Sequence, residues 1–221
     1  MSAGAAGVPP AARALLAALR DQLCALYRAE APDLLDFLVD DDGLAAIGAQ
    51  PARGADEWVL VAEGEDGLEL AIWIAAPLLH QLAQTTSPAQ AAAGALRAFC
   101  AGVEGLSHAL LLIERARRAE PVSLLELEAQ AEVDKYVCAR LHHPERRAEL
   151  RRRLFHDADL RVDLDEDERD RYREAGALAE AWCAHLDRLP HDRARIDEQR
   201  RFFRAPGASR LHEMRRLRLA A

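Results

Sequence analysis

The stretch VEGLSHALLLI (residues 103–113), followed after a proline break by SLLELEAQAEVDKYVCARL (residues 123–141), decides the fold of this chain. The first segment is almost wholly apolar, and the second carries charges on its apolar side. Both repeat their apolar residues with a helical period, so they predict two long helices that pack as a hairpin across Pro121. Ser123 and Glu126 form a Ser-x-x-Glu capping box, which fixes the start of the second helix.

Helical periodicity extends through most of the remaining sequence. We therefore predict a mainly α (α+β) protein with one small β-hairpin in the N-terminal third, since only the apolar runs at 58–62 and 68–74 read as strands. A capping box at Asp165 predicts a further long helix. The predicted division is a flexible start at 1–10, a mostly helical core domain at 11–190 with the hairpin at 58–74, and a C-terminal helical appendage at 191–221.

Several local expectations concern the connections between these elements. Asp33 is a plausible N-cap for a short helix that includes Leu38. The acidic run Asp40–Gly43 is typical of a turn. Pro88 is expected to open one continuous helix that runs to Arg118, and the acidic segment before Asp165 is expected to be irregular.

Composition and charge restrict the class of protein. Residues 1–90 contain 13 acids and 4 arginines, and the whole chain has a net charge of −8, which argues against nonspecific nucleic-acid binding. The four cysteines are widely spaced, as is typical of free thiols. Uncharged apolar stretches of about 18 residues and a secretory signal pattern are absent from the sequence, so we expect a cytoplasmic protein with no membrane span. Lys135 is the only lysine, a bias that suggests a GC-rich bacterial genome.

Five charged residues of the central helices are the candidate site. Glu104 and His108 lie one turn apart on the first helix, and Glu128, Glu132 and Lys135 lie on or beside the apolar side of the second. In a helical hairpin these side chains would converge. Two carboxylates and a histidine on facing helices would suit a divalent metal. They would equally suit a general acid–base pair.

A structural interpretation of the same residues is the favoured one. Lys135 is expected to pair with Glu128 or Glu132, because a lysine on an apolar face must be paired or neutral. The Glu-x-x-His spacing of di-iron bundles is absent, since Glu104 and His108 are one residue further apart. Cys138 and His142, a thiol and an imidazole one helical turn apart with His143 next in sequence, are a weaker pair of candidate zinc ligands.

The C-terminal 31 residues (191–221) suggest the main functional hypothesis. Their short helices have apolar faces rimmed with arginine, which would suit docking on a protein partner or on a second copy of the chain. The apolar residues concerned are Ile196, Phe202, Phe203, Leu211, Met214 and Leu217. We therefore expect an adaptor or regulatory partner. The alternative is a metal-dependent or acid–base enzyme with its site between helices 102–118 and 123–141.

Overall fold

The computed structural model describes residues 7–64, 67–157 and 164–220, and within them the chain forms ten α-helices and a three-stranded sheet. The helices are α1 (Pro10–Tyr27), α2 (Asp41–Ala46), α3 (Ala76–Ala83), α4 (Pro88–Gly94), α5 (Leu96–Arg117), α6 (Leu124–His142), α7 (Arg147–Arg151), α8 (Glu166–Arg188), α9 (Asp192–Arg204) and α10 (Gly207–Leu219). The strands are β1 (Leu38–Val39), β2 (Glu57–Gly64) and β3 (Gly67–Ile74). The prediction of a mainly α fold with a small β element in the N-terminal third is confirmed.

The sheet has the strand order β1-β3-β2, and its hairpin lies where the sequence predicts it. β2 is antiparallel to β3, with Glu57 opposite Ile74 and Val59 opposite Ile72. Ile72 and Ile74 belong to the main hydrophobic core, and Val59 packs against it. Because side chains alternate between the two faces of a strand, Glu57 lies on the same core-facing side as Val59.

The structure corrects three local predictions. Asp33 caps a 3-10 turn of four residues, but Leu38 lies in β1 and pairs in parallel with Ile72. The acidic run at 40–43 begins α2 instead of forming a turn, because the Asp40 carboxylate accepts the Gly43 N–H at 2.8 Å and caps the helix.

The helix predicted from 89 to 118 is interrupted at Ala95, where the backbone leaves the helical region and separates α4 from α5. Gly94, which favours a helix least among ordinary residues, directly precedes the break. Residues 1–6 of the predicted flexible start, and residues 158–163 of the acidic segment, lie outside the described residues.

The central helix α5 lies inside the protein. By length and composition it would qualify as a membrane span, but 78% of its most apolar window is buried within the fold. Ser123 caps α6 as predicted, accepting the Glu126 N–H at 3.2 Å. The second half of the predicted capping box is wrong, because the Glu126 carboxylate turns inward and accepts from Arg115 and Arg210, each at 2.9 Å.

The C-terminal helices bury their apolar faces against the chain itself. Phe203 stacks on Tyr27 of α1, and Phe202 stacks on Trp182 of α8, each with ring centroids 3.9 Å apart. Both phenylalanines and Met214 belong to the main core. Phe202 and Phe203, two of the apolar side chains that suggested a docking surface, are therefore covered by α8 and α1, and Ile196, Leu211 and Leu217 are partly buried against the same core.

A buried polar cluster holds α5 against α6 beside the candidate site. Asp134 of α6 accepts a hydrogen bond from the Ser107 hydroxyl of α5 at 2.6 Å and from the Gln130 amide at 2.9 Å, and it also bonds the Tyr27 hydroxyl. Ser107 directly precedes His108, so this contact fixes the relative position of the two helices at the level of the candidate residues.

Candidate metal centre

Glu104, His108 and Glu128 converge between α5 and α6. One potential ligand atom from each lies within 4.8 Å of the others. Glu104 and His108 are one helical turn apart and project toward α6, whose first turns supply Glu128. The His108 side chain is only 9% exposed and that of Glu128 11%, so the group lies in a largely dry environment.

Glu57 at the start of β2 lies beside this group, on the Nδ1 side of the His108 ring. Its Oε1 lies 3.9 Å from His108 Nδ1, and Glu128 Oε2 lies 3.8 Å from His108 Nε2. These separations are too long for hydrogen bonds. Glu57 Oε2 and His108 Nε2 are both buried, and neither has a hydrogen-bond partner among the described residues. Buried polar atoms without partners are uncommon in native proteins and indicate an unfilled interaction.

A glycine on α5 allows the strand to come this close. A Cβ at Gly105 would lie 3.0 Å from Ile72 Cγ2 and 3.4 Å from Glu57 Oε2. A side chain at this position would therefore require Ile72 and Glu57 to move by a few tenths of an ångström. The glycine between Glu104 and His108 thus positions Glu57 against both.

Lys135 and Glu132 lie beside the group of possible metal ligands and not within it. Lys135 Nζ donates to Glu132 Oε1 at 2.6 Å and to Glu104 Oε2 at 3.1 Å. The predicted pairing of Lys135 with Glu132 is confirmed, and its second partner is Glu104 and not Glu128. Burial opposes the charge of Lys135, but the two carboxylates outweigh it and raise its pKa well above the ordinary value.

Two of the crowded carboxyl groups in this region have raised pKa values. Burial, and then the charge of Glu104, raise the pKa of Glu128 to about 8. Burial, Glu104 and Glu128 raise the pKa of Glu57 well above its ordinary value. The pKa of His108 is lowered, chiefly by burial, so its imidazole is neutral near pH 7 and has a lone pair available for a cation.

Tyr172 of α8 forms a further side of the site. Burial raises the pKa of its phenol, and the charges of Glu128 and Glu104 raise it further. The neighbouring Arg171 places its guanidinium carbon 5.6 Å from the Tyr172 ring centroid. The sequence does not predict either residue as part of the site, because both lie on an amphipathic helix remote in sequence from the central hairpin.

The weaker zinc candidates have other partners. His142 Nε2 lies 2.9 Å from the Gln22 side-chain oxygen, and His143 Nε2 lies 2.8 Å from the Ala89 carbonyl. Cys138 is buried in the core. In the part of the chain that the structure describes, Glu104, His108 and Glu128 are the only group of three arranged to hold a metal ion.

Comparisons with models of protein families, with curated proteins and with solved structures find no match to this chain.

Proposed function

We propose that this protein is a metal-dependent enzyme that binds a divalent cation between α5, α6 and the start of β2. The ligands are Glu104, His108 and Glu128, and Glu57 lies on the Nδ1 side of the imidazole, where it would orient the ring. The observation that carries the proposal is the buried, unpartnered His108 Nε2, which lies 3.8 Å from Glu128 Oε2, too far for a hydrogen bond. A neutral imidazole nitrogen in this position has the lone pair that a metal ion requires.

The charge balance of the region also supports a cation. Four largely buried carboxylates (Glu57, Glu104, Glu128 and Glu132) lie near two cationic groups, the ammonium of Lys135 and the guanidinium of Arg171, whose charge acts on Glu128. Burying several like charges together costs free energy, and the raised pKa values of Glu57 and Glu128 express that cost. A divalent cation would offset it and keep both groups ionised.

The donor set restricts the metal and suggests its chemistry. Two carboxylates with one imidazole suit Mn²⁺, Fe²⁺ or Zn²⁺ better than a soft cation such as Cu⁺. The Glu104 side chain is 17% exposed, so the group reaches solvent at one edge. A cation held there would polarise a substrate oxygen or lower the pKa of a bound water molecule.

Equilibrium dialysis followed by elemental analysis tests this proposal. Metal-free protein should retain Mn²⁺ or Zn²⁺, and Glu57→Gln, His108→Ala and Glu128→Gln should each weaken binding by about 10-fold or more. His185→Ala and Glu198→Gln are matched controls, because His185 Nε2 lies 3.2 Å from Glu198 Oε1 in a histidine–glutamate pair outside the site. Failure of the wild type to retain either ion, or equal losses in the control variants, would contradict the proposal.

A metal-free acid–base enzyme is the second candidate, and one observation favours it. The raised pKa of Glu128, about 8, would keep this group protonated at neutral pH beside Glu104, which Lys135 holds in an ion pair. Carboxyl groups with such divided environments can act as acid and base. The dialysis experiment separates the two candidates, because an acid–base site would retain no metal.

The docking hypothesis lacks a comparable observation. The large apolar residues that remain exposed in the described parts of the chain are far apart in the sequence, and the two on one element, Leu124 and Leu141, lie at opposite ends of α6. They are Ile47, Val61, Leu124, Leu141 and Leu219.

A further inference from the structure

We infer that Lys135 occupies the place of a second metal ion and thereby limits the centre to one cation. This inference rests on the proposed function, since it concerns the number of ions that the same site holds. It assigns a specificity-determining role to the only lysine of the chain.

The geometry of Glu104 is the first observation. Its carboxylate is shared between two positions, because one of its oxygens lies within 4.8 Å of ligand atoms of His108 and Glu128, and Oε2 accepts from Lys135 Nζ at 3.1 Å. In two-metal sites, carboxylates bridge cations about 3.5–4 Å apart. Here the Lys135 ammonium group fills the position beside Glu104 where a second cation would lie.

The surroundings of Lys135 are the second observation. Glu132 Oε1 accepts from Nζ at 2.6 Å, and the lysine side chain is only 10% exposed. Glu104 and Glu132 therefore offer two carboxylates to one buried cation, a donor set that would otherwise suit a divalent ion. A protonated amine has no lone pair to donate to a metal, so Lys135 excludes an ion from this position.

Removal of the ammonium group should open the second position. Lys135→Ser shortens the side chain and leaves Glu104 and Glu132 facing a space that Nζ occupied. The wild-type chain should bind one Mn²⁺ per chain at saturation, and Lys135→Ser should bind two. The double variant Lys135→Ser/Glu132→Gln should return to one, because the second position then lacks one of its carboxylates.

Mn²⁺ titration of the full chain, followed by electron paramagnetic resonance, measures the number of ions and their separation. The wild type should give the six-line spectrum of an isolated ion, and Lys135→Ser should give the exchange-coupled spectrum of a close pair. Two ions in the wild type, or one ion in a folded Lys135→Ser variant, would overturn the inference while leaving the proposed function intact. Absence of Mn²⁺ and Zn²⁺ binding in the wild type would instead reject both.

The wild-type spectrum keeps the inference testable even where Lys135→Ser does not fold. Glu132→Gln in the wild-type background gives an additional check. Because Glu132 bonds to Lys135 and is not one of the three grouped ligands, this variant should still bind one ion with affinity within about 5-fold of the wild type. A loss of the ion in folded Glu132→Gln would place Glu132 among the ligands and contradict the role assigned to Lys135.

Discussion

At the scale of single residues, the structure separates two kinds of buried charge. Glu126 is satisfied, because it accepts hydrogen bonds from Arg115 and Arg210, and its side chain is 4% exposed. His108 and Glu57 are not, since each has a buried polar atom without a partner among the described residues. The hydrogen bonds of Glu126 fit a purely structural role. The unpartnered atoms of His108 and Glu57 favour a bound ligand.

Loss of the Glu126 carboxylate should be strongly destabilising. Glu126→Ala would leave two buried guanidinium groups without their shared acceptor, so we expect the free energy of unfolding to fall by about 3–5 kcal/mol. Glu120→Ala is a matched control, because Glu120 also pairs with Arg115 but is 32% exposed. The control should cost less than about 1 kcal/mol. Urea denaturation measures the free energy of unfolding of both variants. Equal losses would show that the buried ion pairs of Glu126 contribute no more than the exposed pair of Glu120.

Asp134 should give the protein a pH dependence of stability. Burial raises its folded-state pKa from 3.8 to about 6. Between about pH 4 and 6 the unfolded chain releases this proton while the folded chain retains it, so stability falls as the pH rises through this range. Relative to Asp134→Asn, the wild type should lose on the order of 2 kcal/mol between pH 4 and 7. An unchanged difference between the two proteins across this range would show that the pKa of Asp134 is not raised.

At the scale of elements, the central helix pair explains what the sequence can predict. Residues one turn apart on a helix share a face, so the convergence of Glu104 and His108 with residues of α6 follows from helical spacing and a short connection. Strand β1 does not follow from local pattern, because it is only two residues long and pairs with β3. The break at Ala95 has no proline, and Gly94 alone is a weak signal for it.

Glu57 shows why the site was only partly predictable. It lies at the start of a strand far from the central helices in sequence, and helical periodicity says nothing about it. A signal was nevertheless present in the sequence, because Glu57 lies on the same face of the strand as Val59, which packs against the core. A carboxylate on the core-facing side of a strand needs a partner or a ligand.

Gly105 should be essential for bringing β2 to α5. Gly105→Ala would place a Cβ 3.0 Å from Ile72 Cγ2 and 3.4 Å from Glu57 Oε2, so these side chains must move by a few tenths of an ångström. We expect Mn²⁺ affinity to fall by about 10-fold, as for other changes that displace a group orienting a metal ligand. Gly176→Ala on α8 meets no atom within 4 Å and should instead raise stability by about 0.5–1 kcal/mol without changing affinity. Equal Mn²⁺ affinities for the two variants would contradict this role.

At the scale of the whole molecule, the C-terminal helices share the hydrophobic core of the rest of the chain. Phe202, Phe203 and Met214 are at most 3% exposed, and Arg210 of α10 bonds Glu126 of α6. The sequence showed that these short helices need apolar contacts to be stable, but it did not show whether those contacts lie within the chain or in a partner. The structure places them on α1 and α8.

Truncation after Pro190 should therefore unfold or strongly destabilise the protein. It would expose Tyr27 and Trp182 and leave Glu126 without Arg210. Loss of two buried phenylalanines alone typically costs about 3–5 kcal/mol each, which is comparable to the total stability of many domains. Circular dichroism and thermal unfolding should show loss of cooperative folding. A truncated protein with an unchanged melting temperature would show instead that these helices form an independent unit.

The most direct test of the metal centre is electron spin-echo spectroscopy of the Mn²⁺-loaded protein, which detects a nitrogen nucleus bonded to the ion. We predict modulation from one imidazole nitrogen in the wild type, its loss in His108→Gln, and its retention in the matched control His185→Gln. Mn²⁺ bound without nitrogen modulation, or modulation that persists in His108→Gln, would contradict the assignment of His108 as a ligand and with it the proposed centre.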